Sequence, residues 1–150
     1  MRKIEKQMNF ALSNKSNWAG SNTTVSYNDS TNCSSVYLHG HQIATLDHHS
    51  NALKLSSCGY QTNTTKSRLN AILDEVDYGC KVFQKNWDWY FSNNNQTVDF
   101  WDGMILCGGE ILRACEQLGN ISVEYFCEEF IFQCDTEEEL DRLHLSLIHI

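Results

Sequence analysis

The run Thr62-Asn63-Thr64-Thr65-Lys66-Ser67-Arg68-Leu69-Asn70 holds the most suggestive chemistry in the sequence. Leu69, Ile72, Leu73 and Val76 recur at i, i+3, i+4 and i+7, which predicts a helix over residues 65–76. The first turn of a helix presents unpaired N–H groups and a partial positive charge, and Lys66 and Arg68 stand beside it here. Together with Thr65 and Asn70 they form a candidate binding site for a phosphate or a carboxylate. A structural reading of the same residues is just as concrete: Asn63 or Thr64 caps the helix, Leu69 packs, Asn70 braces a neighbouring turn, and both cations are solvated. Lys85 and Trp87, placed by the pattern at a hairpin tip, would add charge and a stacking ring to such a surface, as in single-strand nucleic-acid binders. Trp87, Trp89 and Trp101 suit cross-strand pairs or a core as well.

His39, His41, His48 and His49 with Cys33 and Cys58 invite a zinc reading, but the spacing opposes it. His39 and His41 flank a single glycine, and no Cys-x-x-Cys pair closes a tetrahedral site. If residues 36–46 form one strand with a bulge at Gly40, both histidines share a face, and two ligands do not make a structural site. No metal or other cofactor is expected. Cys107 precedes Gly108-Gly109 and would be a nucleophile near a helix N-terminus if a helix began there, but no pattern positions a general base. Gly108-Gly109-Glu110 lacks the Lys-Ser/Thr of a phosphate loop and reads as a strand-to-helix turn. Residues 135–141 are carboxylate-rich without the alternation of an EF-hand loop, and read as an acidic helix start. No catalytic residue is assigned, and the expectation is a protein that is not an enzyme.

These candidates need elements to hold them. Ile4, Met8 and Leu12, with Ala11 adjacent, predict a helix over residues 3–13 whose apolar stripe is narrow enough to need a partner. Alternation places strands at 23–27, 35–38 continuing past Gly40 to 46, and 52–56, joined by Asn- and His-rich turns into an antiparallel meander. After the 65–76 helix come strands at 81–84, 89–92 and 97–105, forming two hairpins whose Asn-rich turns tolerate positive φ. Beyond Gly109 the pattern predicts a helix over 110–118, strands at 121–126 and 130–132, and a capping box of Thr136 and Glu139. The expected fold is α+β: a single small domain, an antiparallel sheet in two groups of strands with one central helix, plus an acidic C-terminal α/β extension.

Composition bounds the classes available. The chain has 150 residues, enough for one core, with 41% hydrophobic and 20% charged residues, which excludes disorder and a membrane span. Proline is absent and Asn occurs fourteen times, a bias that fits AT-rich coding DNA. Residues 1–91 carry nine basic and seven acidic side chains, and residues 92–150 carry two against twelve, so nearly all of the net charge of −8 sits in the second part. That acidity reads as a solvated surface or as a patch competing for a nucleic-acid-binding face. Seven cysteines at irregular spacing, with no apolar leader segment, point to buried thiols in a reducing cytoplasm. The recurring Asn-x-Ser/Thr triplets therefore say nothing about glycosylation.

One order of motifs is distinctive. Asn22-Thr23-Thr24-Val25, Leu38-His39-Gly40 with Ile43-Ala44, Leu53 and Leu55, Ser57-Cys58-Gly59-Tyr60, the 62–70 run, Val82-Phe83-Gln84-Lys85-Asn86-Trp87-Asp88-Trp89-Tyr90 and Asp102-Gly103-Met104 together resemble a family of small proteins of tailed-phage and prophage genomes, a domain of unknown function. The resemblance covers about residues 17–106. It implies a phage gene product acting inside a bacterial cell and carries no active site to transfer. Residues 1–16 are then an N-terminal helix, 17–106 the phage-type domain and 107–144 the acidic extension. The last six residues, Leu145-Ser146-Leu147-Ile148-His149-Ile150, resemble a translated sequencing adapter, so 145–150 are expected to be an artefact of a metagenomic read. The functional expectation is a non-enzymatic phage accessory protein that binds an unidentified host or phage macromolecule. The alternatives are a nucleic-acid binder using the 65–76 helix N-terminus and the 85–87 hairpin, and a small Cys/His metal protein or enzyme.

Overall fold

Two helices and ten strands occupy residues 1–112, the part of the chain that the computed structural model describes. They are α1 (Lys3–Ser13), β1 (Trp18–Gly20), β2 (Thr23–Asn28), β3 (Cys33–Leu38), β4 (His41–Asp47), β5 (Ala52–Leu55), α2 (Asn63–Val76), β6 (Lys81–Lys85), β7 (Asp88–Ser92), β8 (Thr97–Asp99), β9 (Met104–Cys107) and β10 (Glu110–Ile111). The elements expected beyond residue 112, the acidic extension and the 145–150 tail lie outside the described residues.

The strands form two antiparallel sheets, one of seven strands in the order β1-β2-β3-β4-β5-β9-β10 and one of three in the order β6-β7-β8. The meander expected from alternation is the β2–β5 part of the large sheet, where Val25 pairs with Val36 and Ala44 with Leu55. Between β5 and β9, which pair from Ala52↔Cys107 to Leu55↔Met104, the chain inserts α2 and the whole small sheet. α2 contacts α1, β4 of the large sheet and β6 of the small one, and so holds the two sheets together. This is the α+β domain, with antiparallel strands in two groups and a central helix.

Three local expectations are corrected. Residues 36–46 are not one bulged strand but the β3–β4 hairpin. His39 and Gly40 form its two-residue turn with φ of 52° and 80°, the left-handed pair that a tight hairpin requires. The bulge lies further on, at Ile43, where the register jumps from Val36↔Ala44 to Tyr37↔Gln42. Residues 97–105 are likewise two strands, because a turn at Trp101–Gly103 carries the chain from the small sheet to the large one. Gly108-Gly109 does not start a helix: it is the turn of the β9–β10 hairpin, with both φ values positive. A Gly-Gly pair serves either role, and pattern alone does not separate them. The strand β1 was concealed by its polar neighbours; it is short, sits at an edge and pairs Trp18 with Val25.

One apolar cluster joins everything. It takes Met8, Ala11 and Leu12 from α1, Leu69, Ala71, Ile72 and Leu73 from α2, Val36, Leu53, Leu55 and Met104 from the large sheet, and Val82, Trp89 and Phe91 from the small one. The stripe of α1 is widened by two polar residues, Glu5 and Asn9, both buried and both bonded to α2. Burial of such groups is tolerated only with partners, and these partners fix the angle between the helices.

Candidate functional site

A cleft of about 340 Å³ opens where α2 begins. Three separated segments line it: Leu38, His39, His41 and Ile43 from the β3–β4 hairpin, Ser57 and Tyr60 from the loop after β5, and Thr62, Thr64 and Thr65 at the head of α2. All of these but His41 fall within the motifs on which the sequence resemblance rests. Ile43, at the bulge, lines the cleft, and the carbonyls of Gln42 and Ile43 hold the facing loop. Ser56 N–H donates to the Ile43 carbonyl at 2.8 Å, and the Cys58 thiol donates to the Gln42 carbonyl at 3.1 Å. Asp102 fixes the same loop from the other side. Its Oδ1 accepts from the Ser57 N–H and hydroxyl, both at 2.7 Å, and its Oδ2 accepts from the Gly59 N–H at 3.3 Å. Ser57-Cys58-Gly59 and Asp102-Gly103, distant in sequence, are thus one unit. At the rim His41 and Tyr60 stack with centroids 4.5 Å apart.

The head of α2 is capped by Thr62, whose Oγ1 accepts from the Thr65 N–H at 3.1 Å; Asn63 and Thr64, the expected caps, are inside the helix. The Thr65 hydroxyl lies 3.0 Å from the Thr62 hydroxyl. The remaining first-turn N–H groups, those of Asn63 and Thr64, have no acceptor within a helix by construction.

The six residues singled out in sequence do not form one surface. Thr65 is buried at the cleft and Lys66 is half-buried one residue on. Arg68 points the other way, into the protein: Nη1 meets Glu5 Oε2 at 2.8 Å, Nε donates to Thr23 Oγ1 at 3.0 Å, Nη2 donates to Asn22 Oδ1 at 3.1 Å, and both charged side chains are 3% exposed. It ties α2 to α1 and to the start of β2. Burial alone would raise the Glu5 carboxyl, but hydrogen bonds from Ser67, Arg68 and the Arg2 backbone, with the Arg68 charge, hold it below its ordinary value. Asn70 bonds the edge of β6, accepting from the Val82 N–H at 2.7 Å and donating to its carbonyl at 2.9 Å. Lys85 and Trp87 stand exposed at the β6–β7 hairpin, where Asn86 and Trp87 form a tight turn with φ of 53° and 71°. Trp89 and Trp101, by contrast, pack inward, Trp89 edge-on to Phe100.

Sequence reasoning missed one pair with nucleophile-to-base geometry: the Ser34 hydroxyl lies 2.7 Å from His48 Nε2. Burial and the Lys15 charge lower the His48 pKa against the pull of Asp47, so the ring is neutral at neutral pH. Ser34 has no exposed surface, so a substrate has no path to it, and the pair ties β3 to the turn after β4. The thiols of Cys80 and Cys107 are pushed up, chiefly by burial and then by the Asp77 charge, which disfavours the thiolate a nucleophile needs. Among the described residues no three His, Cys, Asp or Glu side chains stand together as a metal site, and no helix is long and apolar enough to cross a membrane.

The fold and the cleft define a small α+β protein in which a helix-headed cleft is set into an antiparallel sheet. The chain belongs to the family described as Kyanoviridae Gp96 protein, which matches residues 1–107. The match takes in α1, ahead of the point where the resemblance in sequence began, in agreement with the place of Met8 and Leu12 in the shared core. No curated protein and no solved structure matches the chain.

Proposed function

We propose that this phage protein is a non-catalytic binding module that grips a host or phage macromolecule inside the infected cell, and that the cleft at the head of α2 is its contact site. One observation carries the reading: three separate segments converge on a concave site whose walls are held by internal hydrogen bonds. The Ser57 hydroxyl donates to Asp102 and the Thr65 hydroxyl is paired with Thr62, so both groups brace the wall of the cleft. What faces outward suits recognition: a stacked His41–Tyr60 pair and the first turn of α2, which favours a carboxylate or phosphate on the partner.

The test is photo-crosslinking. A benzophenone amino acid placed at Tyr60, which is more than half exposed, is expected to give one predominant adduct in infected cells. The same group placed at exposed Asn28 should not. Equal adducts from both positions, or none from Tyr60, would overturn the proposal.

A further inference from the structure

The outer face of the small sheet is a second surface, sharing no residue with the cleft. Alternation along β6 sends Val82 inward and leaves Lys81, Phe83 and Lys85 on the side away from α2. Phe83 stacks on Tyr90 across the strand pair with centroids 5.6 Å apart, and the Lys81 ammonium sits 5.5 Å from the Phe83 ring centre. The two ends of the strand carry the most exposed aromatics among the described residues: Tyr78, 87% exposed, before it, and Trp87, 89% exposed, after it. The order along the chain is therefore aromatic, lysine, aromatic, lysine, aromatic. Trp87 is held there at a cost, since a bulky residue at φ of 71° sits in a left-handed region that favours Gly or Asn.

We propose that this row binds single-stranded nucleic acid, with bases stacking on Tyr78, the Tyr90–Phe83 pair and Trp87 and phosphates meeting Lys81 and Lys85. Lys81 and Lys85 are four residues apart, about 13 Å along the strand, and the rings between and beside them offer stacking faces that unpaired bases can use and the bases of a duplex, already stacked on one another, cannot. The face also carries Asp99 on β8 and Asp88 on β7; Asp88 stands directly across from Lys85, so Lys81 is the less opposed of the two cations. Two lysines make the electrostatic part small, and stacking supplies most of the affinity.

The experiment uses the full chain and a labelled oligothymidine in fluorescence anisotropy across a salt series. Binding is expected at low salt, with a log–log salt slope of about −1.4 for two neutralised phosphates. The slope should fall by about half in Lys81→Gln. Trp87→Gly converts the turn to Asn-Gly, so it should melt higher than the parent while binding at least about fivefold more weakly. Tyr78→Ala should weaken binding without changing the melt, and Ser26→Ala, exposed on β2 and outside both surfaces, should leave it unchanged. The proposal is overturned if the parent does not bind at low salt, if duplex competes as well as single strand, or if Trp87→Gly and Tyr78→Ala bind like the parent.

Discussion

Glu5 and Arg68 set the energetic scale for single residues. Replacing Glu5 by Gln leaves a guanidinium buried without the carboxylate that neutralises it, which costs about 3–5 kcal/mol. Replacing both residues by Met should cost less than either single change, a non-additivity that urea denaturation of the four proteins will show. Because the folded-state pKa of Glu5 lies below its unfolded value, its contribution is present above the unfolded pKa and is lost as pH falls through the folded one. Asp77 has the opposite sign. It is 7% exposed with Oδ2 unpartnered, and burial raises its pKa against a hydrogen bond from Gly109. Its contribution is greatest below the unfolded pKa and is lost as pH rises through the folded one. Asp77→Asn should therefore raise the melting temperature at neutral pH, with the gain shrinking toward acid. Sequence singled out residues 65–70, and its structural reading made Asn70 a brace for a neighbouring turn, where the bond in fact goes to Val82 on strand β6. It did not show that Arg68 turns inward, because Glu5 lies 63 positions away and only the fold brings the two together.

At the level of elements, the strength of the alternation decided what was legible. The 65–76 helix and the β2, β3 and β5–β7 strands follow their apolar periods closely, and their ends shift by no more than a few residues. The failures cluster at glycines, where one dipeptide serves a bulge, a hairpin or a helix start, and His39-Gly40 and Gly108-Gly109 both proved to be hairpin turns. The cleft was legible only in part: its head in α2 was singled out, whereas His41, Ser57 and Tyr60 join it through Asp102 and the Ile43 bulge, which have no local signature. Asp102→Ala removes the acceptor of three hydrogen bonds and leaves a buried Ser57 without its partner. A loss of about 1–3 kcal/mol is expected, and NMR should show the Tyr60 ring released from His41. In the opposite direction, Trp87→Gly should gain about 1 kcal/mol by relieving the left-handed turn, read as a shift in the urea midpoint.

For the molecule as a whole, the shared core makes one prediction. Met8 is fully buried where α1 meets the cluster common to both sheets, so Met8→Ala should cost about 2–5 kcal/mol. Trp fluorescence and far-UV dichroism should still report a single coincident transition, because neither sheet has a core of its own. Separate transitions would mean that the inserted small sheet unfolds by itself. That sheet also carries a hazard, since a strand at its margin, flanked by exposed rings, is a template on which another chain can grow. Asn70 answers it with one side chain. Its amide occupies both hydrogen-bonding positions of Val82, as the backbone of an incoming strand would, and so takes up one of the pairing positions on that margin. Asn70→Ala should open that position beside the aromatic rings of β6, with light scattering rising before the fold is lost.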